Sequence, residues 1–131
     1  MTSRRVLVID DEPELIDLIR LMLVRFRNDE VIGAYGGQEG IEKAEQNPPD
    51  LIILDLMMPG LTGYEVYEHL QAIPALQHIP VLFQSARPRW VAYPDAQRLD
   101  AAGYLCEPYR PQDLLAARDA ALRGETYYPP I

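Results

Sequence analysis

Short aliphatic runs alternate along the chain with stretches in which apolar positions recur every three or four residues. Val6-Leu7-Val8-Ile9 is continuously apolar, as a strand buried on both faces would be. Leu15, Ile16, Leu18, Ile19, Met22, Leu23 and Phe26 follow at helical spacing, and Pro13 falls in the first turn, where its missing N–H costs nothing. Val31 to Tyr35 predicts a second strand, and Gln38 to Gln46 a helix closed by Pro48-Pro49. Leu51-Ile52-Ile53-Leu54 predicts the third strand. A Pro59-Gly60 turn, a helix over Tyr64 to Ile73 and a strand over Pro80 to Phe83 come next. Pro88 and Pro94 then interrupt the pattern, which places a short helix from about Pro94 to Ala101. Tyr104 to Cys106 predicts the last strand. Leu114, Leu115, Ala117, Ala121 and Leu122 mark a final helix that stops near Gly124. Tyr127 to Ile131 has no periodicity and is expected to be extended.

Five strands alternating with five helices predict an α/β fold, a doubly wound parallel sheet covered on both faces. With 131 residues, 48% of them hydrophobic, the chain suits one domain, since two would each be too small to bury a core. The expected division is a domain over 1–124 and a tail over 125–131. A single cysteine, Cys106, rules out a disulfide within the chain and fits a reducing compartment. The apolar runs fall far short of the ~20 residues of a membrane span, and no secretory leader is visible. A cytoplasmic location is therefore expected. The formal net charge of −8 disfavours binding to nucleic acid or to an anionic membrane. Lys43 is the one lysine beside eleven arginines, so lysine-dependent chemistry has a single carrier.

Ligands of doubly wound folds sit beyond the carboxyl ends of the strands, where the strand order reverses. Strand one ends in Asp10-Asp11-Glu12 and strand three in Asp55; strands four and five end near Ser85 and Glu107. Hard oxygen donors in such a group suit Mg²⁺ or Mn²⁺. Taken singly, Asp10 or Asp11 is as well explained as a cap for the helix at Pro13, and Asp55 as a solvated loop residue. Taken together on neighbouring strands, the carboxylates favour a metal-binding pocket, because crowded like charges destabilise unless a cation or proton resolves them.

Val6 to Pro13 resembles the opening of response-regulator receiver domains of bacterial two-component systems, of the chemotaxis-regulator kind. Asp50 to Gly60, with Leu54-Asp55-Leu56-Met57-Met58-Pro59-Gly60 at its centre, resembles their phosphoacceptor segment. Thr62-Gly63-Tyr64-Glu65 resembles the helix that follows it. The resemblance extends over about residues 4 to 123. It implies a flavodoxin-like sheet of order 2-1-3-4-5 and a phosphoryl group taken by Asp55 from a sensor histidine kinase. It also implies Mg²⁺ held by Asp10, Asp11, Asp55 and the backbone carbonyl of Met57. Ser85 would then hydrogen-bond the phosphoryl group, and Tyr104 would be the switch aromatic that turns inward. On residue type alone, Ser85 is equally an ordinary loop hydroxyl and Tyr104 a half-buried strand aromatic.

Two departures from the pattern stand out. Receivers carry a lysine before the proline that follows the last strand, and here that position is Glu107. A like charge at ~4 Å costs on the order of 4 kcal/mol at an effective dielectric near 20. Three outcomes are open: Glu107 turns to solvent, Arg87 or Arg110 substitutes for the lysine, or phosphotransfer is lost and a protein-binding scaffold remains. The second departure is the segment 87–98, which carries a net charge of +2 with Trp90 and Tyr93 interleaved. Aromatics and arginine are enriched at interface hot spots. A face containing Trp90, Tyr93 and Tyr109 is therefore a candidate for partner docking or homodimer formation, against the equal reading of a solvated loop. The leading expectation is a stand-alone receiver that switches an unknown output protein, and the alternative is a phosphorylation-independent interaction module. A classical enzyme is disfavoured: a haloacid-dehalogenase-like phosphatase would want an acid where Met57 stands, and a flavodoxin a phosphate loop where Asp10 to Pro13 stands.

Overall fold

The computed structural model describes residues 3–129. Five strands alternate with five helices in the order β1 (Arg5–Ile9), α1 (Pro13–Arg27), β2 (Glu30–Ala34), α2 (Gly37–Gln46), β3 (Leu51–Asp55), α3 (Gly63–Gln71), β4 (Val81–Ser85), α4 (Arg89–Arg98), β5 (Gly103–Cys106) and α5 (Pro111–Leu122). The strands are parallel and ordered β2-β1-β3-β4-β5. The order reverses between β1 and β3, so a cleft opens at their carboxyl ends.

Alternate side chains of each strand feed two cores. Leu7, Ile9, Ile52, Leu54, Val81, Phe83 and Tyr104 lie on one side, packed with residues of α2, α3 and α4. Val6, Val8, Leu51, Ile53, Leu82 and Leu105 lie on the other, with residues of α1 and α5. Each such side chain contributes about 1.5–3 kcal/mol on burial, which makes the strand ends a rigid platform. On α1 the buried positions are Ile16, Ile19 and Leu23. Leu18 and Phe26, read from spacing as part of the same face, are exposed.

The fourth helix departs from expectation. It runs from Arg89 to Arg98 with Pro94 inside it, rather than beginning at Pro94. Ala92, Tyr93 and Ala96 are buried along one side, and their burial fixes the helix in place. Pro94 and Trp90, one turn earlier, are both exposed, so the donor missing from the proline is lost on the solvent side. Gly124, at φ +78°, ends α5 in the left-handed conformation that a side chain would resist.

The stretch expected to be extended from 127 onward lies along the outer edge of β5, although Pro130 and Ile131 fall outside the described residues. Tyr127 pairs with Gly103, donating its N–H to the Ala102 carbonyl at 2.8 Å and accepting from the Tyr104 N–H at 3.1 Å. Tyr128 donates its hydroxyl to the Ala101 carbonyl at 2.8 Å and meets Tyr93 edge-on.

Candidate functional site

Strand register aligns the candidate residues at one end of the sheet. Ile9 pairs with Leu54, Asp55 with Gln84, and Ser85 with Cys106. Asp10 therefore leaves β1 beside the end of β3, and Glu107 leaves β5 beside Ser85. One carboxylate oxygen from each of Asp10, Asp11 and Asp55 lies within 4.8 Å of the others. Asp10 and Asp55 are buried, while Asp11 is partly exposed, which leaves an opening to water. Gly63 lets α3 approach this end of β3: its N–H bonds the Leu56 carbonyl at 3.1 Å, and a side chain there would press into the Leu56 backbone. Thr62 caps the helix by accepting from the Glu65 N–H at 3.2 Å, and Glu65 accepts in return from the Thr62 N–H.

Capping does not account for Asp10 or Asp11. Glu12 occupies the N-cap of α1 and its side chain makes no capping bond. Asp10 instead accepts from the Glu12 N–H at 2.8 Å through Oδ1 and from the Gln84 amide at 2.9 Å through Oδ2. Asp55 accepts from the Met57 N–H at 3.0 Å, and the Met57 side chain is exposed.

The electrostatics are frustrated. Burial pushes the Asp55 carboxyl up to about 7, and Asp10, Glu107 and Asp11 push the same way against the Met57 N–H. Asp10 is raised by burial and by Asp11 and Glu12, and Glu107 by burial and by Asp10 and Glu12. Neither Arg87 nor Arg110 reaches in. Arg110 pairs with Asp113 at 3.2 Å, and Arg87 lies beside Tyr64. Among the described residues no arginine or lysine forms an ion pair with Asp10, Asp11, Asp55 or Glu107.

Tyr104 is fully buried, pointing inward. Its hydroxyl stands 2.6 Å from the Arg87 carbonyl and 2.9 Å from Ser85 Oγ, which also accepts from the Arg87 N–H at 2.9 Å. The one phenol proton, given to the nearer carbonyl, leaves the Ser85 proton donated to Tyr104. Burial pushes this phenol up to about 12, so it remains a donor.

The model of the response regulator receiver domain matches residues 6–119 of this chain. The chain belongs to that family. The receiver is 35% identical over 121 residues to the alkaline phosphatase synthesis transcriptional regulatory protein PhoP of Bacillus subtilis, covering 92% of this chain and 49% of that protein. It is 29% identical to protein PilH of Pseudomonas aeruginosa over 92% of this chain and 98% of PilH. It thus spans about half the length of PhoP but nearly all of PilH. Among solved structures, a putative response regulator from Chloroflexus aurantiacus aligns with TM-score 0.86 at 27% identity, over 93% of this chain and 99% of that one. The chemotaxis protein CheY4 of Vibrio cholerae aligns with TM-score 0.84 at 25% identity, over 92% and 99%. Receivers of this family are signalling modules of two-component systems rather than classical enzymes, and they bind Mg²⁺ at such an acidic pocket. No helix among the described residues is long and apolar enough to cross a membrane.

The structure gathers Asp10, Asp11, Asp55 and Glu107 around one cleft, with Ser85 and Tyr104 bonded to each other beside it. It disperses the face expected for docking. Trp90 is exposed at 67%, whereas Tyr93 is buried against Tyr104 and Tyr128. Tyr109 packs into the core on the opposite side of the sheet. The helical turn explains the first separation, and the side switch after β5 the second. Gln84 was missed. Its signal was a lone amide closing the apolar run Val81-Leu82-Phe83.

Proposed function

We propose that Asp55 accepts a phosphoryl group from the phosphohistidine of a sensor histidine kinase, with Mg²⁺ or Mn²⁺ held by Asp10, Asp11, Asp55 and the backbone carbonyl of Met57. The observation that carries this reading is the convergence of three carboxylates at the sheet's reversal point, with no arginine or lysine among the described residues in an ion pair with them. The donor set fits a hard divalent ion, and the partly exposed Asp11 leaves room for its waters. In the transfer, an Asp55 oxygen bonds to phosphorus as the P–N bond breaks, and the departing imidazole keeps the electron pair. The metal, when bound, supplies positive charge that offsets charge gathering on the phosphoryl oxygens. We take residues 1–124 as the receiver unit and 125–131 as the segment that follows it.

In the same reading, Glu107 decouples phosphoryl binding from the aromatic switch that signals to an output protein. Tyr104 is already inward, and the Ser85 proton is engaged with it. A ligand shifts a two-state equilibrium only by its differential affinity for the two states. Docking of a partner or of a second copy through α4 falls to Trp90 and Val91, its exposed apolar residues. A sedimentation profile unchanged by Trp90→Ala would remove that role.

Incubation with acetyl phosphate and Mg²⁺, followed by mass spectrometry, tests the phosphotransfer. The parent should gain one acid-stable, base-labile phosphoryl group, and Asp55→Asn should gain none. An unmodified parent would instead make the chain a phosphorylation-independent interaction module.

A further inference from the structure

β4 is apolar through Val81, Leu82 and Phe83, yet its next residue, Gln84, is a fully buried amide. Both ends of that amide are engaged. Nε2 donates to Asp10 Oδ2 at 2.9 Å, and Oε1 accepts from the Tyr109 hydroxyl at 2.8 Å. A phenol gives its proton to the amide oxygen, which leaves the NH₂ group facing the carboxylate. The opposite orientation would set the amide oxygen against Asp10. Tyr109 thus fixes which way Gln84 points, and Gln84 fixes how Asp10 points.

We infer that Gln84 and Tyr109 are positioning residues that aim Asp10 at a divalent cation while leaving the pocket's negative charge intact. The inference rests on the reading of the acidic cleft as a metal site. Its physical basis is that a carboxylate near other carboxylates rotates away unless a donor holds it. A lysine or arginine would hold it, but would also cancel charge that the cation needs. A neutral amide orients without neutralising. Asp10 Oδ1 is held by the Glu12 N–H and Oδ2 by Gln84, so both oxygens have a fixed direction and retain lone pairs. Tyr109 reaches Gln84 because the turn after β5 carries it to the α1–α5 side, where its ring packs with that core. Burial, with Glu107 and Asp10 nearby, raises this phenol and keeps it a donor. Outer partners of metal ligands commonly govern affinity by 10–100-fold.

Calorimetric titration with Mg²⁺ of the parent, Gln84→Leu, Tyr109→Phe and the double variant tests the arrangement. Gln84→Leu should weaken Mg²⁺ about tenfold and Tyr109→Phe about threefold. The double variant should bind no more weakly than Gln84→Leu alone, because Tyr109 acts through the amide. Tyr109→Phe loses one oxygen and keeps the ring, so it carries the test alone where Gln84→Leu does not fold. In the parent, the side-chain amide signals of Gln84 should shift on addition of Mg²⁺. Affinity equal to the parent's in Tyr109→Phe and in every folded Gln84 variant overturns this inference and leaves the metal site standing. A parent that does not bind Mg²⁺ overturns both.

Discussion

Two clusters of charge occupy opposite ends of the sheet and are resolved in opposite ways. At the amino ends of the strands, Arg118 bridges buried Asp29 at 2.6 Å and Asp119 at 2.9 Å, and Arg27 closes on Asp119 at 2.7 Å. Two cations meet two anions, and Asp119 is held below the usual carboxylate range by Arg27 and then Arg118. At the carboxyl ends, Asp10, Asp55 and Glu107 are all pushed upward, with no ion-paired arginine or lysine among the described residues. Arginine is abundant in this chain and neutralises the buried carboxylate at the first of these ends. Its absence from the other cluster marks a place where unbalanced charge awaits something from outside the chain.

The largest way to break this contrast is to disarm the balanced end. Asp29→Ala strands a largely buried guanidinium and should destabilise the protein by about 3–5 kcal/mol in urea unfolding. A loss under 1 kcal/mol would mean that Asp119 alone satisfies Arg118.

The next effect is the response to pH without metal. The folded protein binds the Asp55 proton more tightly than the unfolded chain does. The stability this gives is full below about pH 3.8 and is lost as pH rises through about 7. The loss should be roughly 2–4 kcal/mol. Asp119 works with the opposite sign: its contribution is present above pH 3.8 and lost as pH falls below that value. Urea midpoints should therefore drop between about pH 5 and pH 8, and Asp55→Asn or added Mg²⁺ should remove most of the drop. A flat parent profile over that interval contradicts the frustration of the cleft.

A smaller effect sharpens the comparison by making the two ends alike. Glu107→Lys brings a cation to the frustrated end and should weaken Mg²⁺ about tenfold, or about 1.4 kcal/mol. It should also let a beryllium-fluoride mimic move the Ser85 and Tyr104 amide signals in NMR, where the parent hardly responds. A full switch in the parent, matching that of Glu107→Lys, would make Glu107 a silent replacement.

Much of this was legible in the chain. Asp10 and Asp55 end continuous apolar runs, and such runs report buried parallel strands directly. That Glu107 stands where the resemblance implies a lysine is an expectation carried by one residue. What escaped depended on partners brought from afar. Pro94 looked like a helix start because local propensity was the only visible term, whereas burial of Ala92, Tyr93 and Ala96 decided the matter. The bond from Gln84 to Asp10 joins residues 74 apart and leaves no periodic trace. Tyr93 and Tyr109 looked alike as interface aromatics, and only the fold sends them to different cores.

The segment around Tyr127 carries a consequence for recognition at this side of the molecule. Parallel sheets end in strands whose free backbone groups can recruit an incoming strand. At the start of β5, the carbonyl of the preceding Ala102 and the Tyr104 N–H are already taken by Tyr127. β-augmentation at these two residues is therefore closed while the segment stays in place. A partner that reads the α4–β5–α5 side meets side chains and surface shape there, so its specificity must be written in those terms rather than in a shared ladder.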